Sequence, residues 1–338
     1  MAARIQQTIM GLGKGKQADI VTASIAANFL RFTKINMDLT TPEPVNENDA
    51  PEIGKGHEFA TQTFPSHYNV ANRIEKYASA EFVAWTVAYA LGHVVESGTT
   101  PNFILTVTPI DPGTTLELPY FSVVEQVPEG GGAAVDNLFV GCAIEEFVHT
   151  LTYGPGRASS KMTVSWVGSG KVIQPSAITV PALTTDHNML AGSMTMTANG
   201  IDLVGTKRIL SASVGWKNNL LLGPGFYPGS GLQGNYQIRG RMEIGPRVPS
   251  LQFSARLLAT STEYALLVAQ TAGSTVLSVA YDANNMVTYT FPQLAYGTIK
   301  NGETDGLVDV TITGTPEYAT SGGVFSAVCK MGLTGIAQ

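Results

Sequence analysis

Most of this chain is written with a period of two. Bulky or β-branched residues alternate with small or polar ones in Asn102 to Ile110 (NFILTVTPI), Asp136 to Tyr153 (DNLFVGCAIEEFVHTLTY), Lys161 to Gly168 (KMTVSWVG), Gly192 to Val204 (GSMTMTANGIDLV) and Arg208 to Trp216 (RILSASVGW). Gly, Pro, Asn or Asp cuts the runs apart. Successive side chains of a strand point to opposite faces, so this alternation predicts a mainly β chain with few helices.

Two Ala-rich segments depart from the pattern: EFVAWTVAYALG (Glu81 to Gly92) and TEYALLVAQTAG (Thr262 to Gly273). The first is ambiguous alone, because Val83, Trp85, Val87, Tyr89 and Leu91 alternate like a strand while Phe82, Trp85 and Tyr89 share one helical face. In the second, Tyr264, Leu267 and Val268 keep a helical stripe and the alternation of bulk is lost. Both therefore read as helices. Ser79 and Thr260 stand where N-caps belong and Gly92 and Gly273 where a left-handed residue ends a helix, a spacing of 13 in each case. Thr260 and Glu263 add a capping box.

The flanks repeat more loosely. HYNVANRIEKYAS (His67 to Ser79) precedes the first helix, and NYQIRGRMEIG followed by SLQFSARLLAT precedes the second. After each comes a strand, a turn (Asp-Pro-Gly or Asp-Ala-Asn-Asn) and a strand interrupted by Pro119 or Pro292, which confines those strands to edges or bulges. The expected organisation is a flexible N-terminal arm (1–18) and two similar β-sandwich units, 19–157 and 158–338, each clasping one helix, with Gly154-Pro155-Gly156 as hinge. The alternative is coincidence, since any β protein can hold two capped Ala-rich helices. Two long loops, Thr40 to Ser66 and Leu221 to Gly234, lie upstream of the helices in equivalent places; loops of that length are usually functional or mobile.

Charged residues are 14% of the 338, against roughly 25% in typical soluble proteins. Mean hydropathy is slightly positive, +0.11. Such a surface is suited to cover by partners, which favours an assembling protein. The net charge is −6 and no basic run exceeds Lys207-Arg208, so tight wrapping of nucleic acid is disfavoured, while an acidic wall past which DNA slides is allowed. Cys142 and Cys329 lie far apart in apolar runs with no CxxC and read as buried free thiols. No secretory signal and no apolar run of membrane-spanning length is apparent, which suggests synthesis in the cytoplasm.

Catalytic patterns are weak. GLGKGK (Gly11 to Lys16) lacks the preceding strand and the GK[ST] ending of a phosphate loop, with Gln17 where the hydroxyl belongs, and reads as part of the arm. There is no GxSxG, no HExxH and no calcium-ligand spacing. His57, His67, His93, His149 and His187 never fall at ligand spacing, and His149 reads as a surface or lightly buried strand residue. Glu145 and Glu146 point to opposite faces of a strand, one of them inward or towards a lumen, or else both on a solvated edge. Asp49, Glu52 and Glu58 read as a solvated loop rather than a metal site. Trp85, Trp166 and Trp216 read as core. No enzyme activity, cofactor or metal is expected.

Taken in order, a polar start, FLRFTKINMDLTTPEPVNENDAPEIGKGHE with its long loop, the Ala-rich helix ending in ALG, LELPYFSVVEQV, LFVGCAIEEFVHTLTYGPGRASSKMTVSWVGSG, ITVPALTTDHNMLAGSMTMTANG and KRILSASVGWKNNLLLG resemble the tail tube proteins of bacteriophages with long, non-contractile tails, in their two-domain form. The resemblance runs over nearly the whole chain and lies in order and spacing rather than in one motif. It implies tandem β-sandwich units, each with a flanking helix, whose sheets close into a β-barrel-lined ring. Three two-domain chains would form a pseudo-hexameric ring, with a ring of six chains as the other arrangement, and stacked rings would form the conduit for DNA ejection. By the same resemblance Glu47, Asp49, Glu52, Lys55, Phe226 and Tyr227 become inter-ring contacts, Lys14 and Lys16 arm contacts that order on stacking, and Glu145 and Glu146 lumen or strand-face charges. The implied partners are further copies of the chain, a tape measure protein, tail terminator and tip proteins, and genomic DNA passing without specific binding. The implied location is the virion tail, after assembly in the host cytoplasm. The competing readings are a capsid decoration protein and a carbohydrate-binding or hydrolytic tail-tip protein.

Overall fold

The computed structural model describes residues 9–20, 29–32, 36–37, 43–48, 63–99, 101–127, 135–153, 159–172, 183–206, 208–222, 226–228, 237–258, 262–304 and 306–337. These residues are mainly strand, with two helices, as the alternation requires. The first stretch of chain contributes β1 (Ile9–Gly13), β2 (Phe29–Leu30), β3 (Asn36–Met37), β4 (Glu43–Asn48), β5 (Thr63–Tyr77), α1 (Ala80–Leu91), β6 (Gly92–Thr99), β7 (Asn102–Pro109), β8 (Phe121–Val127), β9 (Val135–Thr152), β10 (Ser159–Gly168) and β11 (Gly170–Val172). The second contributes β12 (Leu190–Ala198), β13 (Ile201–Asp202), β14 (Ile209–Lys217), β15 (Phe226–Pro228), β16 (Gln237–Arg239), β17 (Val248–Arg256), α2 (Glu263–Ala269), β18 (Gly273–Asp282), β19 (Asn285–Thr304), β20 (Leu307–Glu317) and β21 (Ser326–Met331).

The ladders come in matching pairs. In the first stretch β1 pairs with β2 and β8, β8 with β9, β9 with β10 and β11, and β5 with β10 and β3. In the second, β12 pairs with β13 and β18, β18 with β19, β19 with β20 and β21, and β17 with β20 and β14. All are antiparallel, and each helix comes directly after the corresponding strand, β5 or β17. The β6–β7 hairpin between α1 and β8 has no counterpart after α2 among the described residues. These pairings group β10 with the strands before it, on the other side of the boundary expected at 158. Gly154-Pro155-Gly156 lies outside the described residues.

The two longest strands, β9 and β19, each serve two sets of neighbours. The β8–β9 register shifts between Phe121 and Val123, and Gly141 sits at this irregularity with φ 58, where a Cβ would lie 2.4 Å from the Ile20 carbonyl oxygen. Only glycine fits there. In β19 the matching irregularity falls beside Pro292, between the Thr275–Phe291 and Gly273–Leu294 pairs, consistent with a proline confined to a bulge. Pro119 lies just before β8, outside any strand.

Ladders also join the stretches. β9 pairs with β14 from Thr152–Ser211 to Glu146–Lys217, and β21 pairs with β7. The result is one continuous apolar core, from Met10 and Leu12 through α1 to Phe325 and Ile336. Trp85, Trp166 and Trp216 all lie in it.

Helix α1 obeys its sequence cues. Ser79 Oγ accepts from Phe82 N at 3.3 Å, and Gly92 closes the helix at φ 89 with its N–H on the Ala88 carbonyl. All twelve residues are buried, as suits a helix apolar on every side. Phe121 packs edge-on against Trp85 and Tyr89, with centroids at 4.9 and 5.0 Å. The indole of Trp85 donates to the Gly13 carbonyl at 2.8 Å, and the Tyr89 hydroxyl to that of Lys14 at 3.1 Å.

Helix α2 departs from the expected caps. It begins at Glu263 after Thr262, whose side chain makes no capping bond, and ends at Gln270 in the left-handed region, φ 50. Thr260 lies outside the described residues. Gly273 opens β18 instead of ending the helix; a Cβ there would lie 2.6 Å from Asn199 Oδ1, so close approach explains this glycine.

The N-terminal segment is a second correction. Residues 9–13 are not a flexible arm but strand β1, paired with β8 and β2, with Met10 and Leu12 buried. Beyond it, Gln17 Oε1 accepts from Gly141 N at 2.8 Å and Gln17 N donates to the Tyr120 carbonyl. Met10 and Leu12, invisible as a strand because glycines stand beside them, anchor this segment in the core that holds α1.

Candidate assembly surface

Tracing the ladders sideways gives a single row: β3, β5, β10, β9, β14, β17, β20, β19. By the matching pairs above, its first four strands correspond in order to its last four. The join between the two fours is β9–β14. At one end of the row, β3 ladders only with β5 among the described residues. At the other end, β19 beyond Leu294 is laddered on one side only, by β20, among the described residues. Thr298, Lys300, Asn301, Gly302 and Glu303 are exposed there.

Apolar side chains are also exposed near that end. Helix α2 packs on β19, yet Val268 is 84% exposed, and Tyr264 and the hairpin residues Leu307 and Val308 are exposed as well. The Tyr264 hydroxyl donates to Asn301 Oδ1. Unpaired strand edges flanked by apolar side chains are aggregation liabilities unless something covers them.

Each helix N-terminus is held by a buried ion pair. Around α1, Ala80 N donates to the His187 carbonyl, Met189 N to that of Ala78, and Glu81 pairs with His187. Lys76, itself 1% exposed, reaches Asp186 at 2.8 Å and lies 4.6 Å from the Phe32 ring centroid. Burial lowers the Lys76 pKa, and Asp186 opposes that shift. Around α2, Arg208 pairs with the fully buried Glu263 and donates through Nε to the Arg256 carbonyl. A carboxylate in the first turn also complements the helix dipole.

The residues singled out from the sequence fall into three groups. Asp49, Glu52 and Lys55 lie outside the described residues, as does the side chain of Glu47, whose backbone in β4 faces Phe64 of β5. Phe226 and Tyr227 lie in β15, opposite Arg239 and Ile238 of β16, described in backbone only. Because His67 of β5 faces both Val45 of β4 and Gln237 of β16, the two long-loop segments meet in one small sheet. Lys16 is exposed; Lys14 is half-buried, and its carbonyl also accepts from Ala337 N at 2.9 Å.

Glu145 and Glu146 do not simply alternate. The β9–β10 register shifts from Glu146–Ser165 to Ile144–Trp166, so Glu145 is bulged out. Its carboxylate accepts from Leu220 N at 3.0 Å and its carbonyl from Asn218 N. Glu146 lies opposite Lys217 of β14.

His149 is neither at the surface nor lightly buried. It is fully enclosed, because β14 pairs along the edge of β9 and Tyr289 of β19 closes the face. Its ring nitrogens lie 2.8 Å from Tyr289 Oη and 2.9 Å from Ser160 Oγ. Burial pushes its pKa down to about 3, so the ring is neutral at pH 7. Both covering strands are distant in sequence, and local alternation carries no signal of them.

Little catalytic chemistry gathers. Among the described residues no group of three or more His, Cys, Asp and Glu is placed to hold a metal. Cys142 and Cys329 are free and fully buried; burial raises both thiols, that of Cys329 to about 12, so both are inert at neutral pH. A cleft of about 630 Å³ lies between the end of β7 and the chain before β21, lined in part by Asp111, Trp216, Arg247 and Tyr318. Arg247 donates to the Ile110 carbonyl at 2.7 Å and lies 5.8 Å from the Trp216 ring, a packing role. No protein-family model matches the chain, and no curated protein matches it either.

Proposed function

We propose that this chain is a structural virion protein that polymerises as stacked rings to form the tail tube of a bacteriophage with a long, non-contractile tail, the conduit for DNA ejection. The observation that carries this reading is the row of eight strands in which a four-strand order occurs twice and both ends stay open among the described residues. A chain made of two equivalent units in tandem, each offering an edge to the next, is what a ring of three two-domain chains requires. Such joins are heterologous, and heterologous joins close into rings or grow into filaments.

The low charge content supports the reading through the surface that must be covered, and the net charge of −6 supports it through a bore that repels phosphate. The meeting of β4 with β15 and β16 in one small sheet supports the reading by bringing together the two long-loop segments that it assigns to contacts between rings. On this reading the chain is not an enzyme, takes no cofactor, and works in the tail with tape measure, terminator and tip proteins. Electron microscopy of the purified protein tests it: rings or tubes are expected, and a dispersed monomer under all assembly conditions would overturn it.

A further inference from the structure

We infer that the open edge of β19 and the outer face of α2 form the docking surface for a second copy of this chain, which enters with the edge of its β3 that faces no other strand among the described residues. Inside one chain the fourth strand of the first unit already has a neighbour from the next unit: β14 adds to the edge of β9. By the matching ladders β19 stands where β9 stands, and β3 stands where β14 stands. The strand that would extend β19 is therefore equivalent to β3. The chain's own β3 lies at the opposite end of the row, which leaves the β3 of another copy.

The internal join also supplies a register. Met37 faces Ile74 of β5 as Ala212 faces Phe253 of β17, and Ile74 and Phe253 are both buried. Ala212 faces Leu151 across the join. Leu151 faces Ser160 as Glu303 faces Val308, so the same geometry puts Met37 of the second copy opposite Glu303.

Helix burial points the same way. Helix α1 packs on β9 and is covered in addition by β19 and β21 of the second unit. Helix α2 packs on β19 and, among the described residues, on no other strand to a comparable extent. Val268, Tyr264, Leu307 and Val308 are the apolar groups left exposed beside the open edge. A two-fold pairing of β19 with β19 would leave β3 unused, so the join is head-to-tail.

This inference deepens the tube reading and rests on it only for closure into a ring. Two variants test it together. Met37→Cys with Glu303→Cys in one chain, treated with a short bismaleimide, should give covalent oligomers, whereas either single variant should give none; the native thiols are buried and shielded. Val268→Glu, at an exposed position, should keep the melting temperature and weaken association at least about tenfold. Covalent oligomers with rings or tubes support both readings. Covalent oligomers that stay open, without rings or tubes, support the join and overturn the tube. Rings that form normally with Val268→Glu and leave the double-cysteine chain unlinked overturn the join and spare the tube. A folded wild-type monomer at every concentration overturns both.

Discussion

Helices α1 and α2 occupy the same place in the order of strands and have opposite surroundings. The first is twelve residues long, capped by Ser79 and Gly92 and buried on every side; the second is seven residues long, without a side-chain cap bond, and only Glu263 among its residues is buried. Local sequence does not explain the gap, because both segments are Ala-rich and led by an aromatic residue. The difference lies in what stands next door. Among the described residues, α1 packs on β7 and β9 and also on β19 and β21 of the second stretch, whereas α2 packs mainly on β19. Among the described residues, burial at this position follows the strands that pack on the helix from the other stretch of chain.

Cutting large side chains from both helices should give the widest contrast. Trp85→Ala removes a fully buried ring that contacts Phe82, Tyr89 and Phe121, and is expected to cost about 3–5 kcal/mol in urea unfolding of the dispersed chain. Val268→Ala in the same assay should stay within about 0.5 kcal/mol. Equal losses would mean that α2 is buried in the isolated chain.

The clasps come next. Removing one partner of a buried ion pair leaves the other charge uncompensated, at a cost of about 3–5 kcal/mol. Arg208→Ala, which strands the fully buried Glu263, should fall in that range by thermal or urea unfolding. Asp186→Ala should cost somewhat less, because Lys76 keeps Ser79 Oγ at 3.4 Å as a second partner. If only Asp186→Ala destabilises, the second helix is not held as the first one is.

The internal join can be probed by pH. His149 is held neutral in the folded chain with a pKa of about 3 and takes up a proton near 6.5 once unfolded, so the unfolded state binds more protons between those values. Its contribution is intact above about pH 6.5 and is lost as the pH falls towards 3, at up to about 1.4 kcal/mol per unit. The His149→Gln variant should show a shallower acid limb in unfolding experiments between about pH 6 and 4. An unchanged limb would mean that β14 does not seal the β9 edge.

The smallest contrast is in the caps. Ser79→Ala should cost about 1 kcal/mol, since Ser79 Oγ accepts from Phe82 N, and Thr262→Ala should cost close to nothing, since Thr262 makes no cap bond.

Whatever is encoded locally could be read in the sequence. Alternation marks the strands, Ser79 and Gly92 mark both ends of α1, and the apolar runs around Cys142 and Cys329 mark buried thiols. The features that escape depend on partners far along the chain. His149 is buried by β14 and Tyr289, and Gly273 answers to Asn199 rather than to the helix before it. Met10 and Leu12 belong to a strand whose partner, β8, begins more than a hundred residues later. A regular strand would place Glu145 and Glu146 on opposite faces, and one bulge removes that regularity. Among the candidate contacts, the two long-loop segments are visible in the sequence but their meeting through β5 is not, because it takes a parallel contact between His67 and Gln237.

If the four-strand order continues from one chain into the next and closes into the proposed tail-tube ring of six units, the number of chains in the smallest stable assembly is set. Measured as the mass of intact complexes, it should be three chains, three times 35.7 kDa, with no stable two-fold dimer on the way. A closed dimer would contradict this, because it would close with four units instead of the six of the proposed ring.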